Sequence, residues 1–94
     1  MPPPYHVVFM GTPGFAVPSL EALAALSDVE LAGVVTQPDR PAGRGRRLTP
    51  PPVKFAAERL DVPIMQVTTL RDAAARQRLE AWQADAFIVA AFGL

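Results

Sequence analysis

The residues best suited to chemistry in this chain are the arginines of one segment, residues 36–54. The segment holds five of the nine cationic side chains and one of the nine acidic ones, so its net charge is +4 and the rest of the chain carries −4. Guanidinium groups form paired hydrogen bonds with phosphate oxygens. A local excess of this kind indicates a polyanionic partner. The candidate contacts are Arg40, Arg44, Arg46, Arg47 and Lys54.

The same segment has the composition of an irregular connection. Pro38 and Pro41 restrict the residues before them to extended backbone. Two glycines flank Arg44, which leaves this arginine on a backbone that can take unusual dihedral angles. A connection as long as residues 37–49 is usually functional or disordered. From the residues alone, the segment is either a phosphate-binding loop or a solvated charged loop without a partner.

A second candidate site follows the first apolar run, where a glycine-containing turn precedes a helical pattern. Such a turn can bind an anion at the helix N-terminus. It lacks the third glycine of a dinucleotide-binding fingerprint and the Gly-Lys-Ser/Thr of a P-loop. The alternative is a tight turn with Phe15 packed over it, which is compatible with the wall of a substrate pocket. The pocket candidates are Gly11, Thr12, Pro13 and Phe15.

The composition argues against several kinds of site. The chain has no cysteine, which excludes disulfides and thiolate metal sites within it. His6 is its only histidine and begins the first apolar run, where a surface or half-buried role is expected, so neither a metal site nor a catalytic triad is predicted. No leader pattern is visible, and no apolar run approaches the ~20 residues of a membrane span. A cytoplasmic location without a membrane partner is therefore expected.

Four continuous apolar runs alternate with three segments of helical spacing. The runs are residues 7–10, 31–35, 63–67 and 86–91. The helical patterns fall within residues 16–24, 53–60 and 75–82. Unbroken apolar runs are typical of parallel strands buried on both faces, and Thr69 with Asp72 suggests a capping box before the third helix. The order predicts an α/β fold, a three-layer Rossmann-like sandwich with a mostly parallel sheet.

The sequence ends at Leu94, three residues after the last apolar run, with no closing helix. In a doubly wound sheet, this arrangement leaves one strand edge and one face uncovered, which natural domains usually avoid. We therefore expect residues 1–94 to be part of a larger domain, completed by further residues or by a partner.

Two stretches resemble the methionyl-tRNA formyltransferases. Residues 8–18 are similar to the amino-terminal motif of that family. Residues 36–54 are similar, nearly residue for residue, to a loop inserted in these enzymes and absent from other formyltetrahydrofolate-dependent enzymes. Leu70-Arg71 and residues 89–93 also fit, so the resemblance covers about residues 6–94. It implies that the chain is the amino-terminal half of a formyltransferase domain.

The resemblance also implies a function in translation initiation, the transfer of a formyl group from 10-formyltetrahydrofolate to the methionine amine of initiator methionyl-tRNA. The inserted loop of the family enters the acceptor arm of the tRNA. Arg44 matches its most important arginine, and the neighbouring basic positions are Arg40, Arg46, Arg47 and Lys54. The turn from Gly11 to Phe15 would lie near the methionyl-adenosine end of the substrate.

The catalytic asparagine, histidine and aspartate of the family lie beyond the last residue of this chain, as does most of the folate pocket. His6 does not match the catalytic histidine. No catalytic residue is therefore assigned, and the chain alone is predicted to be inactive. Two alternatives remain open, namely a non-catalytic tRNA-binding module and a structural fragment that associates with itself through its uncovered sheet edge.

Overall fold

The computed structural model describes residues 2–42, 45, 47–90 and 92 of the chain. These described residues form three helices, α1 (Val17–Ala24), α2 (Pro52–Arg59) and α3 (Ala73–Ala81), with a short 3-10 turn, Gly14–Ala16, before α1. The strands are β1 (Tyr5–Gly11), β2 (Val29–Thr36), β3 (Arg40–Ala42), β4 (Arg47–Thr49), β5 (Ile64–Gln66) and β6 (Ala86–Ala90).

Four of the strands form one parallel sheet in the order β5-β2-β1-β6. The chain first winds from β1 through β2 to β5 and then returns to the other side of β1. Helices α1 and α2 pack on one face of the sheet, and α3 packs on the other. These observations confirm the three-layer α/β sandwich predicted from the sequence. The strand order reverses between β1 and β6, which is where ligands bind in open sheets of this type.

Two apolar cores flank the sheet because successive side chains of β1 point to opposite faces. Phe9 is fully buried with Leu20 and Val53, under α1 and α2. Val8 is fully buried on the other face, where Leu79 of α3 packs with it in the second core. This two-sided burial is the reason why the strand sequences are continuously apolar rather than alternating.

The start of α3 differs from the sequence prediction. The helix begins at Ala73, and the Asp72 side chain caps it by accepting a hydrogen bond from the Ala74 backbone at 2.8 Å. Thr69 instead accepts from the backbone of Arg71 at 3.1 Å, in the turn before the helix. The predicted capping box is therefore wrong, because both Thr69 and Asp72 are residue types that bind local amides and only one of them reaches the helix.

The outer strand β6 leaves apolar side chains uncovered. Phe87, Ile88 and Val89 are 48%, 41% and 63% exposed. Their neighbours on β1 are buried, so the exposure follows from the position of β6 at the end of the sheet rather than from its composition. Among the described residues, no helix is both long enough and apolar enough to cross a membrane.

Candidate nucleic-acid interface

The strand register brings the carboxyl ends of all four parallel strands to one edge of the sheet. Gly11 lies opposite Ala90, and Thr36 lies opposite Gln66. The residues that follow the four strands therefore lie along this one edge. The turn after β1 and the basic segment after β2, which are far apart in the sequence, are neighbours at this edge.

Gly11 allows the chain segments at this edge to approach closely. A Cβ atom on Gly11 would lie 2.7 Å from the ring of Phe9 and 3.0 Å from the carbonyl oxygen of Ala90. Any larger residue would push the end of β1 away from β6. The glycine is therefore required for packing, and Thr12, which follows it, lies against Phe92.

Hydrogen bonds to one carbonyl oxygen, that of Phe92, connect the residues that follow β1, β2 and β6. The Thr12 hydroxyl donates to it at 2.8 Å, and the Gln37 side-chain amide donates to it at 3.2 Å. The hydroxyl of buried Thr36 donates to the Thr12 hydroxyl at 3.5 Å. Because Gln37 is only 5% exposed, its hydrogen bond is shielded from water and fixes the exit of β2 toward β6.

The basic segment contains an antiparallel hairpin that the sequence did not predict. Strand β3 pairs with β4 so that Arg40 lies opposite Thr49 and Pro41 lies opposite Leu48. Residues in directly opposed positions share a face, and the faces alternate along a strand. Arg40 and Arg47 therefore share one face of the hairpin. Gly45, at its tip, has a φ of 79°, a conformation that favours glycine.

The first strand of the hairpin is attached to the sheet through side chains. The Gln66 amide donates to the Asp39 carboxylate at 2.7 Å and to the Gln37 backbone carbonyl at 3.1 Å. Lys54, in the first turn of α2, lies 3.4 Å from the same Asp39 oxygen. The pKa of Asp39 is lowered, chiefly by the hydrogen bond from Gln66 and further by Lys54, and partial burial offsets this only in part. The next residue, Arg40, donates to the Gln37 side-chain oxygen.

Comparison with known proteins identifies the relationship of this chain. The sequence profile described as formyl transferase matches residues 5–94. The chain belongs to the formyl transferase family. It is 55% identical, over 94% of its length, to the methionyl-tRNA formyltransferase of Chloroflexus aurantiacus (strain ATCC 29366 / DSM 635 / J-10-fl), and 52% identical, over its whole length, to that of Pseudomonas syringae pv. syringae (strain B728a). The chain spans 28% and 30% of the lengths of these two relatives.

The structure describes three of the five predicted tRNA-binding residues of this formyl transferase chain. Arg40 and Arg47 are exposed on the hairpin. Lys54 is different, because its side chain is only 23% exposed and faces Asp39 rather than the solvent. Arg44 and Arg46 lie outside the described residues.

The four pocket candidates are adjacent but have different roles in the structure. Gly11 is buried in the sheet edge, and Thr12 bonds to Phe92. Pro13 precedes the 3-10 turn that contains Phe15. The Phe15 side chain is 74% exposed, so it does not pack over the turn as one sequence interpretation suggested. An exposed aromatic ring beside the sheet edge is available to contact a bound molecule.

Four residues of the interface were missed by sequence reasoning, namely Gln37, Asp39, Gln66 and Phe92. No local pattern marks them, because each acquires its role from a neighbour on another strand or helix. The one available signal was position, since Gln37, Gln66 and Phe92 lie within two residues of the end of an apolar run.

His6 lies at the opposite, amino-terminal edge of the sheet. Its ring nitrogens lie 3.3 Å from Glu30 and 3.9 Å from Asp85, and its side chain is 46% exposed. This is the half-buried surface role expected from the sequence. In the part of the chain that the structure describes, no group of three or more histidine, aspartate or glutamate side chains is arranged to hold a metal ion.

Proposed function

We propose that residues 1–94 form the amino-terminal, tRNA-recognising part of a methionyl-tRNA formyltransferase of the cytoplasm. The enzyme would transfer the formyl group of 10-formyltetrahydrofolate to the methionine amine of initiator methionyl-tRNA. The observation that carries the proposal is the basic hairpin, attached at the carboxyl edge of the sheet beside the turn that follows β1. Arginines 40, 44, 46 and 47 would contact phosphates, and the turn from Gly11 to Phe15 would form one wall of the substrate pocket.

The catalytic groups of the enzyme would lie outside these 94 residues. Formyl transfer requires a base for the attacking amine and a group that polarises the formyl carbonyl. The polar side chains at the sheet edge, Thr12 and Gln37, already hydrogen-bond to Phe92. They do not by themselves make a site for the folate, so we propose that further residues hold most of it. Formyl transfer by the purified chain of residues 1–94 would contradict this part of the proposal.

Binding to initiator tRNA tests the role of the hairpin in the full gene product, from the native start codon to the native stop codon. The test variant replaces arginines 40, 44, 46 and 47 with glutamine. The matched control replaces Arg59, Arg71, Arg76 and Arg78, which changes the charge equally at positions outside the hairpin segment. Each lost phosphate contact should reduce the slope of log K against log[salt] by about one. Equal behaviour of the two variants would overturn the proposal.

Two other functions remain to be separated from this one. A native stop codon after Leu94 would favour a non-catalytic tRNA-binding module, and a reading frame that continues would remove it. Self-association is favoured by the exposed apolar residues of β6 and by a cavity of about 390 Å³ beside them, between α3 and Phe87. Concentration-dependent dimers of residues 1–94, absent from the full gene product, would support it. A monomer at high concentration would contradict it.

A further inference from the structure

The two ends of the basic hairpin are held differently. After β4, the chain continues with three consecutive prolines, Pro50 to Pro52, the last of which is the first residue of α2. The backbone amide of Val53 then donates to the Thr12 carbonyl at 3.4 Å, so this end is fixed by stiff backbone. Before β3, only residues 37–39 separate the hairpin from β2, and this end of the hairpin is fixed by side-chain contacts.

We infer that Asp39, Lys54 and Gln66, here called the clamp, are positioning residues that orient the basic hairpin toward the polyanion. This inference rests on the proposed tRNA-binding function and assigns Lys54 a different role within it. Gln66 holds Asp39 and the Gln37 carbonyl together across Pro38. Lys54 ties the same carboxylate to α2. Arg40 follows the clamped residue immediately, so its direction depends on the clamp.

The position of Lys54 favours a structural contact with Asp39 over a contact with a phosphate. It lies in the first turn of α2, where the partial positive charge of the helix terminus disfavours a cation. A carboxylate beside it offsets this repulsion, and Asp39 occupies that position at 3.4 Å. Both side chains are mostly covered, with 23% and 31% exposed. To contact a phosphate, Lys54 would have to break its ion pair with Asp39.

The substitution Asp39→Asn distinguishes a positioning role of Asp39 from a purely electrostatic effect, because the two predict opposite changes in the affinity for tRNA. Removing an acid beside a polyanion should strengthen binding if charge alone matters. If the clamp positions the hairpin, Asp39→Asn should instead weaken the affinity of the full gene product for initiator tRNA, by about fivefold. The matched control is Asp28→Asn, which removes the same charge from an exposed residue at the opposite edge of the sheet.

Three further variants test the clamp in other ways. Gln66→Met removes both clamp hydrogen bonds without changing the charge, and it should weaken binding to a similar degree. Lys54→Gln should weaken binding while leaving the slope of log K against log[salt] unchanged, whereas loss of a phosphate contact reduces that slope by about one. The double variant Asp39→Asn with Lys54→Gln should bind no more weakly than the weaker of the two single variants, because both substitutions remove the same ion pair.

The outcomes distinguish this inference from the proposed function. If the unaltered protein binds tRNA with a steep salt dependence and Asp39→Asn or Gln66→Met binds equally well or better, the clamp inference fails and the function stands. A reduced salt slope for Lys54→Gln likewise overturns it. If the unaltered protein does not bind tRNA, both fail. Thermal unfolding of each variant shows whether a loss of affinity comes from the hairpin or from an unfolded protein.

Discussion

The indole ring of Trp82 lies directly over Gly33, at the centre of β2. A Cβ atom on Gly33 would lie 2.5 Å from two carbons of the ring, which is closer than atoms can approach. The pairing of β1 with β2 is irregular here, since Val7 lies opposite Leu31 and Val8 lies opposite Gly33. The end of α3 therefore packs on the sheet through a position that only glycine can occupy.

Replacing Gly33 with alanine should destabilise the protein by about 1–3 kcal/mol, because the added methyl group overpacks the contact with Trp82. The control is Gly14→Ala, where the nearest atoms to a new Cβ are 3.9 Å away. That change should be neutral or slightly stabilising, since it restricts the unfolded chain. Chemical denaturation of both variants measures the difference. Equal stability of the two variants would contradict the overpacking argument.

Replacing Thr12 with valine should cost about 1–2 kcal/mol of unfolding free energy, because the side chain keeps its shape but loses its hydrogen bonds to the Phe92 carbonyl and from the Thr36 hydroxyl. The cost is limited because Gln37 still donates to the Phe92 carbonyl. Exposed Thr68 offers the matched substitution to valine, which should have little effect. Hydrogen exchange should also show faster opening beside β6 in the Thr12 variant. Unchanged exchange there would show that the hydroxyl does not hold the segment.

The stability that Asp39 contributes should depend on pH with a definite sign. Folding lowers the pKa of Asp39, so the carboxylate stabilises the folded state above the unfolded pKa of about 3.9. This contribution should be lost as the pH falls from that value through the lower folded pKa. Thermal unfolding of the unaltered protein and of Asp39→Asn should therefore differ at neutral pH and converge below about pH 4. A difference that grows on acidification would contradict the assignment.

Replacing Phe15 with alanine should separate folding from substrate binding. The ring is 74% exposed, so the change in unfolding free energy should stay within about 0.5 kcal/mol. If Phe15 contacts the methionyl end of the tRNA, the full gene product should show a raised KM for methionyl-tRNA in a formylation assay. Leu26→Ala, at another exposed apolar position beyond the end of α1, should leave KM unchanged. Identical KM values for the two variants would remove Phe15 from the pocket.

Much of the fold could be predicted because the information is local. Continuous apolar runs separated by helical spacing allow few arrangements besides a parallel sheet between helices. The hairpin could not be predicted, because its strands have three residues each and contain proline, arginine and threonine in no alternating apolar pattern. The contacts at its two ends, from the clamp and at the entry into α2, come from residues distant in the sequence and leave no local pattern.

The sequence by itself determined the α/β class, the excess of cations in one segment and the turn after the first strand. These follow from composition and periodicity, which do not depend on which strands are neighbours. The tertiary structure alone decided that Gln66 reaches Asp39 and that Thr12 and Gln37 converge on Phe92. It also placed Lys54 beside the Asp39 carboxylate. The sequence shows which residues are charged, but the role of a charge depends on its partner in the fold. For Lys54 that partner is the Asp39 carboxylate at 3.4 Å, which only the folded structure brings close.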